Sequence, residues 1–74
     1  MYEAVKIPPT PAQKRVLDAI RELTARDGYC PTYDEIAAHV GLASKATVMA
    51  AVLGLEARNQ IRRLPGKLRS IAII

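Results

Sequence analysis

The sequence predicts a mainly α (α+β) fold of the winged helix-turn-helix type, three helices followed by a two-stranded β-hairpin wing. Three observations predict it. Two Thr-x-x-Gln/Glu capping boxes and a serine cap open three runs with helical apolar spacing. Gly28, Gly41 and Asn59, residues that tolerate left-handed dihedrals, stand where those runs end. Two short, partly β-branched stretches around Pro65-Gly66-Lys67 complete the chain.

Residues 1–9, MYEAVKIPP, show no period and end in a proline pair, so they are expected to form an N-terminal arm. The domain proper is expected over 10–74. In Thr10-Pro11-Ala12-Gln13 the threonine caps, Pro11 suits the first helical position, and Gln13 reaches back to the cap. Val16, Leu17, Ile20 and Leu23 lay one apolar stripe along a helix from about Pro11 to Asp27. Pro31 holds its predecessor extended, Thr32 with Glu35 repeats the capping box, and a helix of about two turns runs from Tyr33 to Gly41 with Ile36, Ala37 and Val40 inward. Gly41-Leu42-Ala43-Ser44 leaves a tight turn before a third helix through about Arg58, with Val48, Ala51, Val52 and Leu55 as its core stripe. Ile61–Leu64 and Ser70–Ile74 read as the hairpin strands, with Ile71 and Ile73 turned toward the core.

Composition narrows the function classes. Seventy-four residues, half of them apolar, can bury one small core. No apolar run reaches the roughly 20 residues that span a bilayer, and the N-terminus lacks the apolar stretch of a signal peptide, so a cytoplasmic location is expected. Cys30 is the lone cysteine and His39 the lone histidine, which provides no disulfide and no zinc ligand set; neither residue is assigned a role. No Cys-His or Ser-His pairing and no phosphate-binding glycine loop is present, so no catalytic residue, metal or cofactor is expected, and an enzyme is not. The net charge of +4 is uneven: residues 1–30 carry +1, residues 31–44 carry only Asp34 and Glu35, and residues 45–74 carry +5. A basic C-terminal half suits a polyanion, although it equally suits a plain solvated surface.

Two helices joined by a short glycine-containing turn form a helix-turn-helix, whose second helix can enter the major groove of DNA. Only its first turns reach base edges, which nominates Ser44, Lys45, Ala46, Thr47 and Ala50 for base contacts. Lys45 can bond guanine or a phosphate, the two hydroxyls can donate or accept, and the Ala46, Ala50 and Thr47 methyl groups can pack on thymine. None of these side chains offers bidentate arginine or asparagine readout. The hairpin tip adds Lys67 and Arg69, backed by Arg62 and Arg63, as wing contacts to the sugar-phosphate backbone, with Thr32 and Tyr33 as further backbone contacts. For each wing cation a solvent-facing charge on a short edge strand is the competing reading, and for Tyr33 it is packing against Pro31.

Thr10-Pro11-Ala12-Gln13, Val16-Leu17, Ile20-Arg21, Gly28, Pro31-Thr32, Glu35-Ile36-Ala37, Gly41-Leu42 and Ser44 together resemble the N-terminal DNA-binding domain of the LexA repressor family. The likeness extends over residues 10–74 and includes Arg69-Ser70-Ile71 in the second hairpin strand. It implies a winged helix-turn-helix, operator binding by the third helix and backbone contact by the wing. The family's self-cleaving C-terminal domain, which also makes its dimer, is expected to lie outside this sequence. Where the family places an asparagine and two acidic residues for base reading, Ala46, Met49 and Ala50 stand here, so a different operator is expected. Asn59 replaces the glycine usual after the third helix.

The expected function is therefore a sequence-specific, double-stranded DNA-binding transcriptional regulator. Tight binding by so small a domain is expected to need a second copy on an adjacent half-site, or a partner. The alternative is a winged-helix interaction module docking on RNA polymerase or another transcription factor through Met49, Leu53 and the hairpin. Met49 and Leu53, four residues apart and off the assigned core stripe, are either an exposed apolar patch or core residues.

Overall fold

The computed structural model describes residues 5–41, 44–64 and 66–74. Helices α1 (Pro11–Asp27), α2 (Tyr33–Val40) and α3 (Lys45–Ala57) are followed by strands β1 (Ile61–Arg62) and β2 (Ala72–Ile73), which pair antiparallel with Ile61 opposite Ile73 and Arg62 opposite Ala72. The chain bends by 102° between α2 and α3, the angle of a helix-turn-helix. The order is the winged helix-turn-helix that the capping signals predict. Leu42 and Ala43 of the expected turn, Pro65 of the expected tip and residues 1–4 of the arm lie outside the described residues.

Each helix begins and ends for a local reason. At α1 the Thr10 hydroxyl accepts from Gln13 N at 3.2 Å while Gln13 Oε1 accepts from Thr10 N at 3.1 Å. At α2 Thr32 and Glu35 repeat the exchange at 3.2 and 2.8 Å. The first-turn amide groups, which have no partners within the helix, are thereby used. Gly28 (φ 81°) and Gly41 (φ 80°) turn left-handed and return their N–H groups to Thr24 O and Ala37 O. Ser44 caps α3, Arg58 closes it, and Asn59 follows at φ 59°.

The core is aliphatic. Val16, Leu17, Ala19, Ile20 and Leu23 of α1 meet Ile36 and Ala37 of α2, Val48, Val52 and Leu55 of α3, and Ile61 and Ile71 of the hairpin. Ala51, assigned to the core stripe, is only half-buried at its edge. Ile71 and Ile73 face inward as expected, with Ala72 exposed between them. Gly54 costs α3 some helix propensity, but a Cβ there would meet the Gln13 side chain that completes the α1 capping box. The close passage of α1 over α3 and the cap of α1 thus share one side chain.

One expectation needs correction. The hairpin strands are shorter than Ile61–Leu64 and Ser70–Ile74, because the Ser70 hydroxyl takes over the ladder: it accepts from Leu64 N at 3.3 Å and shares its one proton between Leu64 O and Lys67 O, each at 3.1 Å. The left-handed backbone of Arg69 (φ 52°) also interrupts the extended run. The arm is held against the domain from residue 5 onward. Ile7 N donates to Arg58 O at 2.9 Å, the Asn59 amide to Val5 O at 2.8 Å, the Gln60 amide to Ile7 O at 2.9 Å, and Lys6 Nζ to Ile74 O. The polar residues after α3 hold it there.

Ile36 is fully buried at the meeting point of the layers. Its replacement by alanine is expected to cost about 2–5 kcal/mol and lower the thermal midpoint by at least about 10 °C, readable by circular dichroism.

Candidate functional site

The start of α2, one side of α3 and the wing enclose a groove of about 420 Å³. Of the residues expected to contact a DNA backbone, Thr32, Tyr33, Arg63, Lys67 and Arg69 line it, joined by Lys45 and Met49 from α3. Arg62 does not. Ile61 turns into the core, so strand alternation sends Arg62 outward to a shallower hollow on the far side of the hairpin. Tyr33 is half-buried and packs against the core, so its ring forms a groove wall.

On α3 the residues nominated for base contact, Ser44, Lys45, Ala46, Thr47 and Ala50, are all exposed. Helical spacing puts them opposite or beside the buried Val48, Val52 and Leu55. The two hydroxyls are partly spent on each other: Ser44 Oγ accepts from Thr47 N at 3.3 Å and lies 2.9 Å from Thr47 Oγ1. Met49 and Leu53 separate into two environments. Met49 is half-buried in the groove, and Leu53 is 45% exposed on the outer face. Neither side chain belongs to the core, and one turn apart they remain neighbours on α3.

Charge in the groove is set by Asp34, which lines it, and by which cations are neutralised. Arg63 Nε pairs with Glu56 of α3 at 3.2 Å, and the Arg63 side chain is only 17% exposed. Arg69 is engaged more fully. Its Nη1 and Nη2 donate to the two Glu35 oxygens at 2.8 and 3.2 Å, Nη1 also donates to Cys30 O at 3.1 Å, and the guanidinium carbon stands 4.6 Å from the centre of the Tyr29 ring. Among the described residues, Lys45, Arg62 and Lys67 have no carboxylate within salt-bridge distance. The bond from Arg69, and then the Thr32 amide, hold the Glu35 carboxyl below its ordinary range. Stability from that pair is therefore present above the ordinary carboxylate pKa and is lost as the pH falls below it.

Sequence reading missed these ion pairs, as well as the Glu22–His39 contact at 2.7 Å that links α1 to α2. Glu35 and Arg69 are 34 residues apart, and no spacing rule connects them. Cys30 also has a place in the wing. Its Sγ accepts from Ile71 N at 3.3 Å, and burial pushes its thiol pKa up.

A family model, the LexA DNA binding domain, matches residues 7–70. The chain belongs to the LexA DNA-binding domain family. Within this family the chain is similar to the LexA repressor of Acidothermus cellulolyticus, 39% identical over 86% of this chain and 23% of that protein. It is likewise similar to the LexA repressor of a Geobacillus species, strain WCH70, 42% identical over 84% of this chain and 30% of that protein. The LexA repressor of Staphylococcus epidermidis is 40% identical over 88% of this chain and 32% of that protein. The chain thus spans about a quarter to a third of the LexA repressors it matches. The match begins at Ile7, a residue of the docked arm, and includes the Arg69 contact with the start of α2.

With its pKa raised and the wing strand against it, Cys30 is expected to react with iodoacetamide at pH 8 at least about tenfold more slowly in the native LexA-type domain than in urea. Equal rates in a mass-spectrometric time course would show that the wing does not cover it.

Proposed function

We propose that this domain binds double-stranded DNA sequence-specifically and acts as a transcriptional regulator, a repressor in the manner its relatives' names describe. The observation that carries the reading is the groove. In a chain of the LexA DNA-binding domain family, the start of α2, Lys45 and Met49 of α3 and the cationic wing line one groove, while Thr47 and Ala50 of the same exposed helix start line a separate hollow against α1. A helix in the major groove beside a basic loop on the backbone is the docking such a surface suits.

In this reading α3 enters the major groove from Ser44, and Lys45 with Lys67 holds phosphates on either side of the groove wall. Thr32 and Tyr33 approach the same strand, while Arg62 reaches a phosphate from the outer side of the wing. Arg63, tied to Glu56, contributes less charge than its position suggests. Base discrimination falls to few groups. Ser44 and Thr47 share their hydroxyls, so the methyl groups of Ala46 and Ala50 offer the readiest contact, and the base feature they fit is the thymine methyl. Two copies on adjacent half-sites would supply the contact area that one copy lacks.

Selection of bound sequences from a random duplex library at moderate salt tests the proposal. Enrichment of an inverted repeat supports a pair of domains, enrichment of one short site supports a single domain, and no enrichment overturns sequence-specific binding. On the selected duplex, Lys45→Ala and Lys67→Ala are each expected to weaken binding and reduce the slope of log affinity against log salt by about one unit. Replacing thymines under α3 with deoxyuridine is expected to weaken binding by about fourfold per methyl, the ratio that burial of one such group corresponds to. Affinity indifferent to that replacement would remove the methyl contacts from the proposal.

A further inference from the structure

We infer that Glu35 and Arg69 are a positioning pair for DNA binding, fixing the wing relative to the helix-turn-helix, and that Arg69 is not a phosphate contact. This rests on the DNA-binding reading above and deepens it. Glu35 does not itself line the groove, but it is bonded to Arg69, which does, and a carboxylate there works against binding a polyanion unless it does something else. Here it does two other things. One Glu35 oxygen accepts from the Thr32 amide at 2.8 Å and caps α2, and the two oxygens together receive the guanidinium fork of Arg69. Arg69 lies between them and the rest of the corner. It reaches the Cys30 carbonyl, stacks on Tyr29, and does so from a left-handed backbone that a non-glycine residue adopts only when its surroundings demand it. Two residues later, Ile71 buries its side chain and donates its N–H to Cys30 Sγ.

The consequence is mechanical. The loop from Leu64 to Lys67 carries the cation that would meet a phosphate, and it is anchored to the domain by a short two-residue ladder at its base and by Arg69 on its return limb. Releasing Arg69 removes the tie between the return limb and the start of α2, and leaves the ladder, the Ser70 hydroxyl, the Arg63–Glu56 pair and the Ile71–Cys30 bond to set the angle between Lys67 and Lys45. The side chains of both Arg69 and Glu35 are about 40% exposed, so the pair can be altered without opening the core.

The two roles for Arg69 predict opposite signs for one substitution. Glu35→Gln removes a negative charge beside the duplex. If Arg69 were a phosphate contact, this would free it and tighten binding. If the pair positions the wing, it weakens binding. The capping function survives, because the first helix of this same chain uses glutamine at the equivalent place, with Gln13 Oε1 accepting from Thr10 N. The experiment measures binding of the full chain to the library-selected duplex, well below the melting midpoint, by fluorescence anisotropy with hydroxyl-radical footprinting. Glu35→Gln is expected to weaken binding by at least about fivefold, about 1 kcal/mol, and to reduce protection under the wing while protection under α3 persists. Arg69→Lys, which keeps the charge but loses the fork, is expected to do the same, and the double variant is expected to be no weaker than either single one. Tighter or unchanged binding by Glu35→Gln overturns the inference and leaves the DNA-binding reading standing. Should Glu35→Gln fail to fold, Glu35→Asp, which withdraws the carboxylate from the Arg69 fork by one methylene, is measured in its place with the same opposite signs, and tighter or unchanged binding overturns the inference. Failure of the unaltered chain to bind any duplex overturns both.

Discussion

The corner from Tyr29 to Glu35 is where the helix-turn-helix and the wing become one body, and the carboxylate of Glu35 is its junction. One oxygen caps α2 through the Thr32 amide, and the pair of oxygens holds Arg69 across from the hairpin. The same few residues contribute the Cys30 carbonyl to Arg69, the Cys30 sulfur to Ile71 N and the Tyr29 ring to the guanidinium face. A two-stranded ladder of two residues per strand is too short to orient a loop by itself. The wing's geometry is borrowed from α2, whose own start is set by the capping box. A local helix signal and a long-range tertiary contact thereby depend on a single side chain.

The distribution of charge follows from that arrangement. The basic excess read along the C-terminal half is partly consumed within the fold, because Arg63 and Arg69 each meet a carboxylate from a helix. Lys45 and Lys67 remain unpaired among the described residues, one on each side of the groove. The α3 surface shows the same economy of polar groups. Its first turn carries one cation and two hydroxyls that bond to each other, and its outer face continues through Ala50 and Leu53 without a hydrogen-bonding side chain. In the proposed function such a surface would depend on shape and methyl contact, since it offers little of the bidentate base readout that arginine or asparagine would allow.

The terminal segments contribute more than their composition suggests. Residues 5–7 hydrogen-bond to the corner after α3, and Ile74 N reaches Gln60 O, so the two ends of the described chain meet beside Asn59 and Gln60. Asn59 serves both needs there, since its left-handed backbone turns the chain and its amide holds Val5. A glycine at that position would turn the chain equally well and leave the arm without that donor.

Three helices with their bounds, the left-handed closures at Gly28, Gly41 and Asn59, the inward alternation of Ile71 and Ile73 and the exposed first turns of α3 were all legible in the sequence. Each rests on interactions within a few residues, where capping chemistry and apolar period act through a known backbone geometry. The convergence of Thr32, Tyr33, Lys67 and Arg69 on one groove with Lys45 followed from the fold the sequence predicts. What tertiary structure alone decided is how those groups are used: Arg69 bound to Glu35, Arg63 to Glu56, Arg62 turned out of the groove, and the arm docked. The physical reason is the same in each case. Whether a charge is free or neutralised depends on which distant residue the packed core brings within about 3 Å of it, and no local period along the chain records that distance.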